Sequence, residues 1–193
     1  DVYISGSDQI WNLHSNEFIN SGIQYMKPYL LDFTNKKKIS YASSVTNMND
    51  EELVQLKPEL EKFFAISARE MSASQSLSRL LAKEISIVLD PTLLITGEKW
   101  LSLMPKEIEQ YTEEPFVLYY SLKNYMETKQ DLISLVTITL KMGLKLIVLT
   151  PLIPLVKMEG VINAANAGPW EFIDLIRKAK MIITDSYHGM LFS

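Results

Sequence analysis

The sequence predicts an α/β protein of two lobes with largely parallel sheets, and three observations predict it. Short apolar, β-branched runs alternate with amphipathic stretches along all 193 residues. Small polar residues follow several of those runs directly, as they do where a parallel strand ends and a turn leads onward. A polar stretch over residues 96–115, carrying Trp100, Pro105 and Pro115, separates two such series. Lobes are therefore expected over residues 1–95 and 96–193.

Strands are expected at residues 2–5, 38–42, 65–67, 86–89, 116–121, 145–150 and 181–184. After the second of these, Asp50 reads as the N-cap of a helix that brings Leu53, Leu56, Leu60, Phe63 and Phe64 to one face, with Pro58 as a point of kinking. A second helix over 72–83 turns Leu77, Leu80 and Leu81 inward. A third runs over 127–142 and closes on Gly143 at C′. A fourth covers 169–179, where Pro169 in the first turn gives up no helical hydrogen bond, because that N–H would be an orphan anyway. The triplet Lys36-Lys37-Lys38 reads as a solvated turn before a strand. The chain opens on Asp1 directly before a strand and stops at Ser193 within the start of a helix, so truncation at both ends is expected.

With 47% apolar and 22% charged residues the chain can bury a real core. Nineteen Lys+Arg against 23 Asp+Glu give a net charge of −4, which argues against nonspecific nucleic-acid binding. The absence of cysteine excludes disulfides, a thiolate nucleophile and Cys-ligated zinc or iron–sulfur sites. The longest nearly apolar run, residues 146–156, carries Pro151 and Pro154. It falls far short of the roughly 20 residues a membrane-spanning helix needs. No transmembrane segment and no signal peptide are visible, and a cytoplasmic location is expected.

Two strand ends have the best claim to chemistry. The first is Ser5-Gly6-Ser7-Asp8-Gln9-Ile10-Trp11-Asn12, read as a strand-to-helix turn or as a sugar or phosphate contact. The second is Thr184-Asp185-Ser186-Tyr187-His188-Gly189, where backbone N–H groups at a helix start suit an anion and a histidine can exchange a proton near neutral pH. The only other histidine, His14, reads as structural or merely exposed. Of three arginines, Arg79 and Arg177 fall mid-helix and face solvent. Arg69 follows an apolar run and is open to two readings, an ion pair with Glu70 or Asp90, or an anion-binding role. Asp90, before Pro91, reads as a cap for a nearby turn. No P-loop, dinucleotide glycine motif, zinc-binding His-Glu-x-x-His or nucleophile elbow is present.

Taken in order, six segments resemble the polysaccharide pyruvyl transferase family. They are Gly6-Ser7-Asp8-Gln9-Ile10-Trp11-Asn12, Ile39-Ser40-Tyr41-Ala42-Ser43-Ser44, Ile66-Ser67-Ala68-Arg69-Glu70, Val88-Leu89-Asp90-Pro91-Thr92-Leu93-Leu94, Gly168-Pro169-Trp170-Glu171-Phe172-Ile173, and Thr184 through Ser193. The chain departs from the family pattern at Val45-Thr46-Asn47, where a bulky residue and glycine are usual. The resemblance implies two Rossmann-like lobes similar to the GT-B glycosyltransferases, with the active site in the cleft between them. It implies transfer of the enolpyruvyl unit of phosphoenolpyruvate onto sugar hydroxyls of a bacterial surface polysaccharide precursor, forming a pyruvate ketal and releasing phosphate. The acceptor implied is a sugar or a lipid-linked oligosaccharide, handled at the inner face of the membrane. No cofactor or metal is implied beyond phosphoenolpyruvate as donor substrate.

By motif position the resemblance places Arg69 and His188 at the phosphoenolpyruvate site, and since the methylene carbon must be protonated, His188 is the candidate general acid. Ser186 and Gly189 fall beside His188 as substrate contacts, Asp185 is a candidate to orient His188, and Ser7, Asp8 and Gln9 are candidates to hold the acceptor. Two other readings stay open: a nucleotide-sugar glycosyltransferase of the same two-lobed kind, and an inactive glycan-binding relative.

Overall fold

A computed structural model of the chain describes residues 1–15, 18–20, 22–123, 125–150 and 158–193. The chain divides into two compact units, Asp1–Leu94 and Ile95–Ser193. Each is a Rossmann-like unit built on a four-stranded, all-parallel sheet.

In the first unit the strands lie in sequence order: β1 (Val2–Asp8), β2 (Lys37–Ser43), β3 (Ala65–Ala68) and β4 (Ser86–Ile87). Helices α1 (Asp50–Leu60) and α2 (Met71–Leu81) connect the last three and pack on each other. Leu53, Leu56, Leu60 and Leu77 are buried with Trp11, Met26, Leu30 and Phe63 in one core. The spacing of the leucines on α1 explains why it is a helix, since residues three and four apart share one face.

Strand β4 ends at Ile87 instead of running to Leu89, and four further details of this unit differ from the expectation. The N-cap of α1 is Asn49, not Asp50. Asn49 Oδ1 accepts the Glu52 N–H and Glu52 Oε2 accepts the Asn49 N–H, both at 2.9 Å, a reciprocal box that leaves Asp50 as the first helical residue. Phe64 does not join the core; the helix has ended, and its ring is 69% exposed with Lys37 Nζ 3.7 Å above it. The lysine triplet runs into β2, where alternation buries Lys38 along its stem and brings Nζ to 3.5 Å from the Leu30 carbonyl. Finally, β1 continues through Gly6 to Asp8, paired with Ser43. Gly6 has φ 137°, and a Cβ there would lie 2.0 Å from the Tyr41 carbonyl oxygen, so this strand continuation requires glycine.

In the second unit the strand order is β7 (Val161–Asn163), β6 (Lys145–Leu149), β5 (Phe116–Tyr120) and β8 (Met181–Thr184). The polar segment ahead of β5 holds helix α3 (Gly97–Ser102), capped by Thr96, and its Trp100 meets Phe192 edge-on at 5.4 Å. Strands β5 and β6 are buried on both faces, hence their unbroken apolar runs. Phe116, Leu118, Ile147 and Leu149 pack towards α5 (Pro169–Lys178), while Val117, Tyr119, Leu146 and Val148 pack towards α4 (Tyr125–Lys141).

Helix α4 closes as the glycine foretells. Gly143, at φ 68°, donates to the Leu140 carbonyl, and Leu144 N–H reaches the Thr139 carbonyl at 3.0 Å. Pro169 opens α5, with Glu171 accepting the Gly168 N–H. The last helix, α6, spans Tyr187–Phe192. Among the described residues no helix is long and apolar enough to cross a membrane. Residues 151–156 of the apolar run lie outside the described residues.

Candidate functional site

In a parallel sheet the polar groups that can reach a ligand collect at the carboxyl ends of the strands, so each unit has one such end. In the first unit this end is organised by Arg69, which directly follows β3. Its Nη2 lies 3.1 Å from Asp8 Oδ1 at the end of β1, its Nη1 3.2 Å from Asp90 Oδ2 beyond β4, and its Nε 3.4 Å from Glu70 Oε2. Both ion pairs weighed from the sequence are formed, and Asp8 adds a third.

Only 4% of the Arg69 side chain is exposed and none of Asp90's, whereas Asp8 is 62% exposed. One guanidinium against three carboxylates leaves this end with a net negative charge. Asp90 caps the short turn Pro91–Leu93, its Oδ1 accepting the Thr92 N–H at 3.0 Å and the Thr92 hydroxyl at 2.8 Å. Burial pushes the Asp90 carboxyl up, but the hydrogen bonds from Thr92, Ser7 and Arg69 outweigh it and hold the group below the usual carboxylate range.

Ser7 Oγ lies 2.8 Å from Asp90 Oδ2 and 3.0 Å from the Ala42 carbonyl, two acceptors for one hydrogen. Asp8 and Gln9 line a small pocket of about 170 Å³ with Ile10, Phe18 and Tyr29, and Gln9 Oε1 accepts from Asn12 Nδ2. Glu70 is tied in turn by the hydroxyls of Ser44 and Thr46. Neither hydroxyl was given a role from the sequence, although Ser44 ends one of the six matching segments and Thr46 lies in the departure that follows it.

In the second unit His188 sits in the first turn of α6, just past the end of β8, its ring edge-on to Tyr187 at 5.4 Å between centroids. Ser186 caps the helix: its Oγ accepts the Gly189 N–H at 3.2 Å, and its own N–H donates to Thr184 Oγ1. Gly189 is buried where a Cβ would lie 2.5 Å from Thr184 Oγ1 and 2.7 Å from the Tyr120 ring. Asp185 turns towards the loop after β5, accepting Ser121 Oγ on Oδ2 at 2.5 Å and the Leu122 N–H on Oδ1 at 2.8 Å. These contacts with Ser121 and Leu122 give Asp185 a firm position. The remaining histidine, His14, pairs with Glu52 at the surface, 2.8 Å away. Arg79 and Arg177 are exposed and pair with Asp50 and Asp174.

Within each unit, then, the sequence-selected residues do converge: Ser7, Asp8, Arg69 and Asp90 in the first, and Asp185, Ser186, His188 and Gly189 in the second. Ser121, Lys123 and Asp131, beyond β5, were passed over, although the rule that picked out the ends of β1 and β8 applies equally to β5.

A family model described as polysaccharide pyruvyl transferase matches residues 1–193, the whole of the chain. No curated protein matches the chain, and no solved structure does.

Proposed function

The chain belongs to the polysaccharide pyruvyl transferase family, and on that premise we propose that it uses phosphoenolpyruvate to form a pyruvate ketal on a sugar of a polysaccharide precursor. The observation that carries this reading is the family match over all 193 residues, which includes the strand end bearing His188.

The chemistry needs an acid first. Phosphoenolpyruvate becomes electrophilic at C2 when its methylene carbon takes a proton, and His188 supplies that proton; imidazole is the side chain whose ordinary pKa lies nearest neutrality. One sugar hydroxyl bonds to C2, the bond from C2 to the phosphate oxygen breaks, and a second hydroxyl closes the ketal. Of the two hydroxyl protons, one balances the new methyl group and the other leaves with phosphate. In this reading Arg69 binds the donor's carboxylate by exchange, the substrate taking the place of the exposed Asp8 while Asp90 and Glu70 hold the guanidinium still. The acceptor is presented from the cytoplasmic side, free or on a lipid carrier.

The test is phosphate release from phosphoenolpyruvate in the presence of sugar acceptors, with mass spectrometry of the product. His188→Gln, which keeps the size and removes the titrating group, is expected to lower turnover about 100-fold or more while the chain stays folded. Undiminished turnover in that variant refutes the assignment.

A further inference from the structure

The second unit holds a crevice that none of the chemistry above uses. Its volume is about 460 Å³, within the range of small-molecule sites, and it is lined by Tyr119, Lys123, Gln130, Asp131, Ser134 and Asp185 against Leu135 and Ile183. Its place follows from topology. From β5 the chain moves to β6 and β7 on one side, then returns to β8 on the other. The carboxyl ends of β5 and β8 therefore flank the point where the strand order reverses, the position at which open α/β sheets leave room for a ligand.

The lining is already set in place before a ligand arrives. Asp131 Oδ2 accepts the Tyr119 hydroxyl and Lys123 Nζ, each at 2.8 Å. Asp185 is fixed by Ser121 and Leu122, and the Lys123 N–H also reaches Ser121 Oγ at 3.2 Å, so one short loop joins the two carboxylates. Lys123 and the Tyr119 hydroxyl hold the Asp131 carboxyl below its ordinary range, which keeps it an acceptor. Asp131 Oδ2 has both lone pairs engaged, but Asp131 Oδ1 takes part in neither bond and each Asp185 oxygen accepts one, so both carboxylates keep acceptor capacity.

Lys123 is already paired with Asp131, so what the crevice leaves free is acceptor capacity on two carboxylates, which suits hydroxyl donors. Leu135 and Ile183 offer an apolar wall to the C–H face of a ring, and Gln130 and Ser134 add polar contacts on α4.

We propose that this crevice binds an uncharged sugar ring of the acceptor, with Asp131 and Asp185 receiving its hydroxyl protons. The assignment to the acceptor rests on the pyruvyl transfer reading; the preference for a neutral sugar rests on the crevice alone.

The experiment is saturation-transfer NMR on the full chain with a panel of neutral methyl glycosides, UDP-glucose as the anionic comparison, and phosphoenolpyruvate titrated separately. Ser134→Trp fills the crevice from the exposed face of α4 and leaves Tyr119, Asp131 and Lys123 themselves unsubstituted. Asp131→Asn removes the charge. A neutral glycoside is expected to bind saturably, to be lost in Ser134→Trp, and to bind about tenfold more weakly in Asp131→Asn. Phosphoenolpyruvate binding is expected to be the same in all three proteins. The proposal is overturned if a folded chain binds no glycoside, if UDP-glucose is preferred, or if Ser134→Trp binds as the parent does. Failure of phosphoenolpyruvate binding alone strikes the pyruvyl transfer reading and leaves the sugar crevice standing.

Discussion

Asp90→Asn tests whether the charge cluster of the first unit is a structural centre. The carboxylate is fully buried and takes four hydrogen bonds: two from Thr92, one from Ser7 at 2.8 Å and one from Arg69 at 3.2 Å. Asparagine keeps an acceptor for Thr92 but places an amide NH₂ where Oδ2 meets Ser7 and Arg69. A hydrogen bond to a charged group is worth about 1.5–3 kcal/mol. Breaking a buried ion pair costs about 3–5 kcal/mol, and here the lower end applies because Asp8 and Glu70 still face Arg69. The expected loss is about 3 kcal/mol. In urea, at an m-value of about 2 kcal/mol/M, the midpoint falls by about 1.5 M. Fluorescence of Trp11, buried edge-on to Phe63, reports this unit once Trp100 and Trp170 of the second unit are replaced by phenylalanine.

The pH dependence of that loss has a definite sign. The folded pKa of Asp90 is lowered, so its contribution is fully present above the unfolded value of about 3.9 and is lost as pH falls through the lower folded value. The gap between parent and variant is therefore constant from pH 7 to about 5 and closes below about 4. A loss under about 1 kcal/mol at pH 7, or a gap unchanged at pH 3, refutes the reasoning.

Three further outcomes follow from named contacts. Gly189→Ala drives a methyl into Thr184 and the Tyr120 ring, and a loss of about 1–3 kcal/mol is expected in thermal unfolding. Asn49→Ala removes the capping box of α1 and costs about 1 kcal/mol, whereas Asp50→Ala costs less, which chemical denaturation distinguishes. Asp8→Asn removes the exposed carboxylate that competes for Arg69, so phosphoenolpyruvate is expected to bind several-fold more tightly by calorimetry; weaker binding counts against the exchange proposed for Arg69.

Much of the fold was legible because it is local. Phe116–Tyr120 and Leu146–Leu149, the runs that make β5 and most of β6, are apolar at every position, as strands covered on both faces must be, and Gly143 and Pro169 mark helix ends through their own backbone chemistry. Strand β7 escaped because Val161, Ile162 and Asn163 are too few to show a period. Helix α3 escaped because six residues beginning with glycine resemble a loop. At α1, Asn49 and Asp50 are equally good caps in isolation; Glu52, three residues after Asn49, was the readable tie-breaker.

The site was legible in type and less so in arrangement. That Arg69 ends a strand can be read locally, but its partners Asp8 and Asp90 lie 61 and 21 residues away, and only the register of β1 through β4 brings them to it. Asp185 was chosen for its neighbour in sequence, His188, yet its hydrogen bonds run to Ser121 and Leu122 across the sheet. Strand pairing decides such contacts, and no single segment encodes it.

The most direct test of the central claim is calorimetric titration of phosphoenolpyruvate into the folded chain, alongside Arg69→Met and with inorganic phosphate as competitor. Saturable binding that phosphate weakens and the substitution abolishes is the predicted result. A chain that is folded by circular dichroism and takes up no phosphoenolpyruvate contradicts the account.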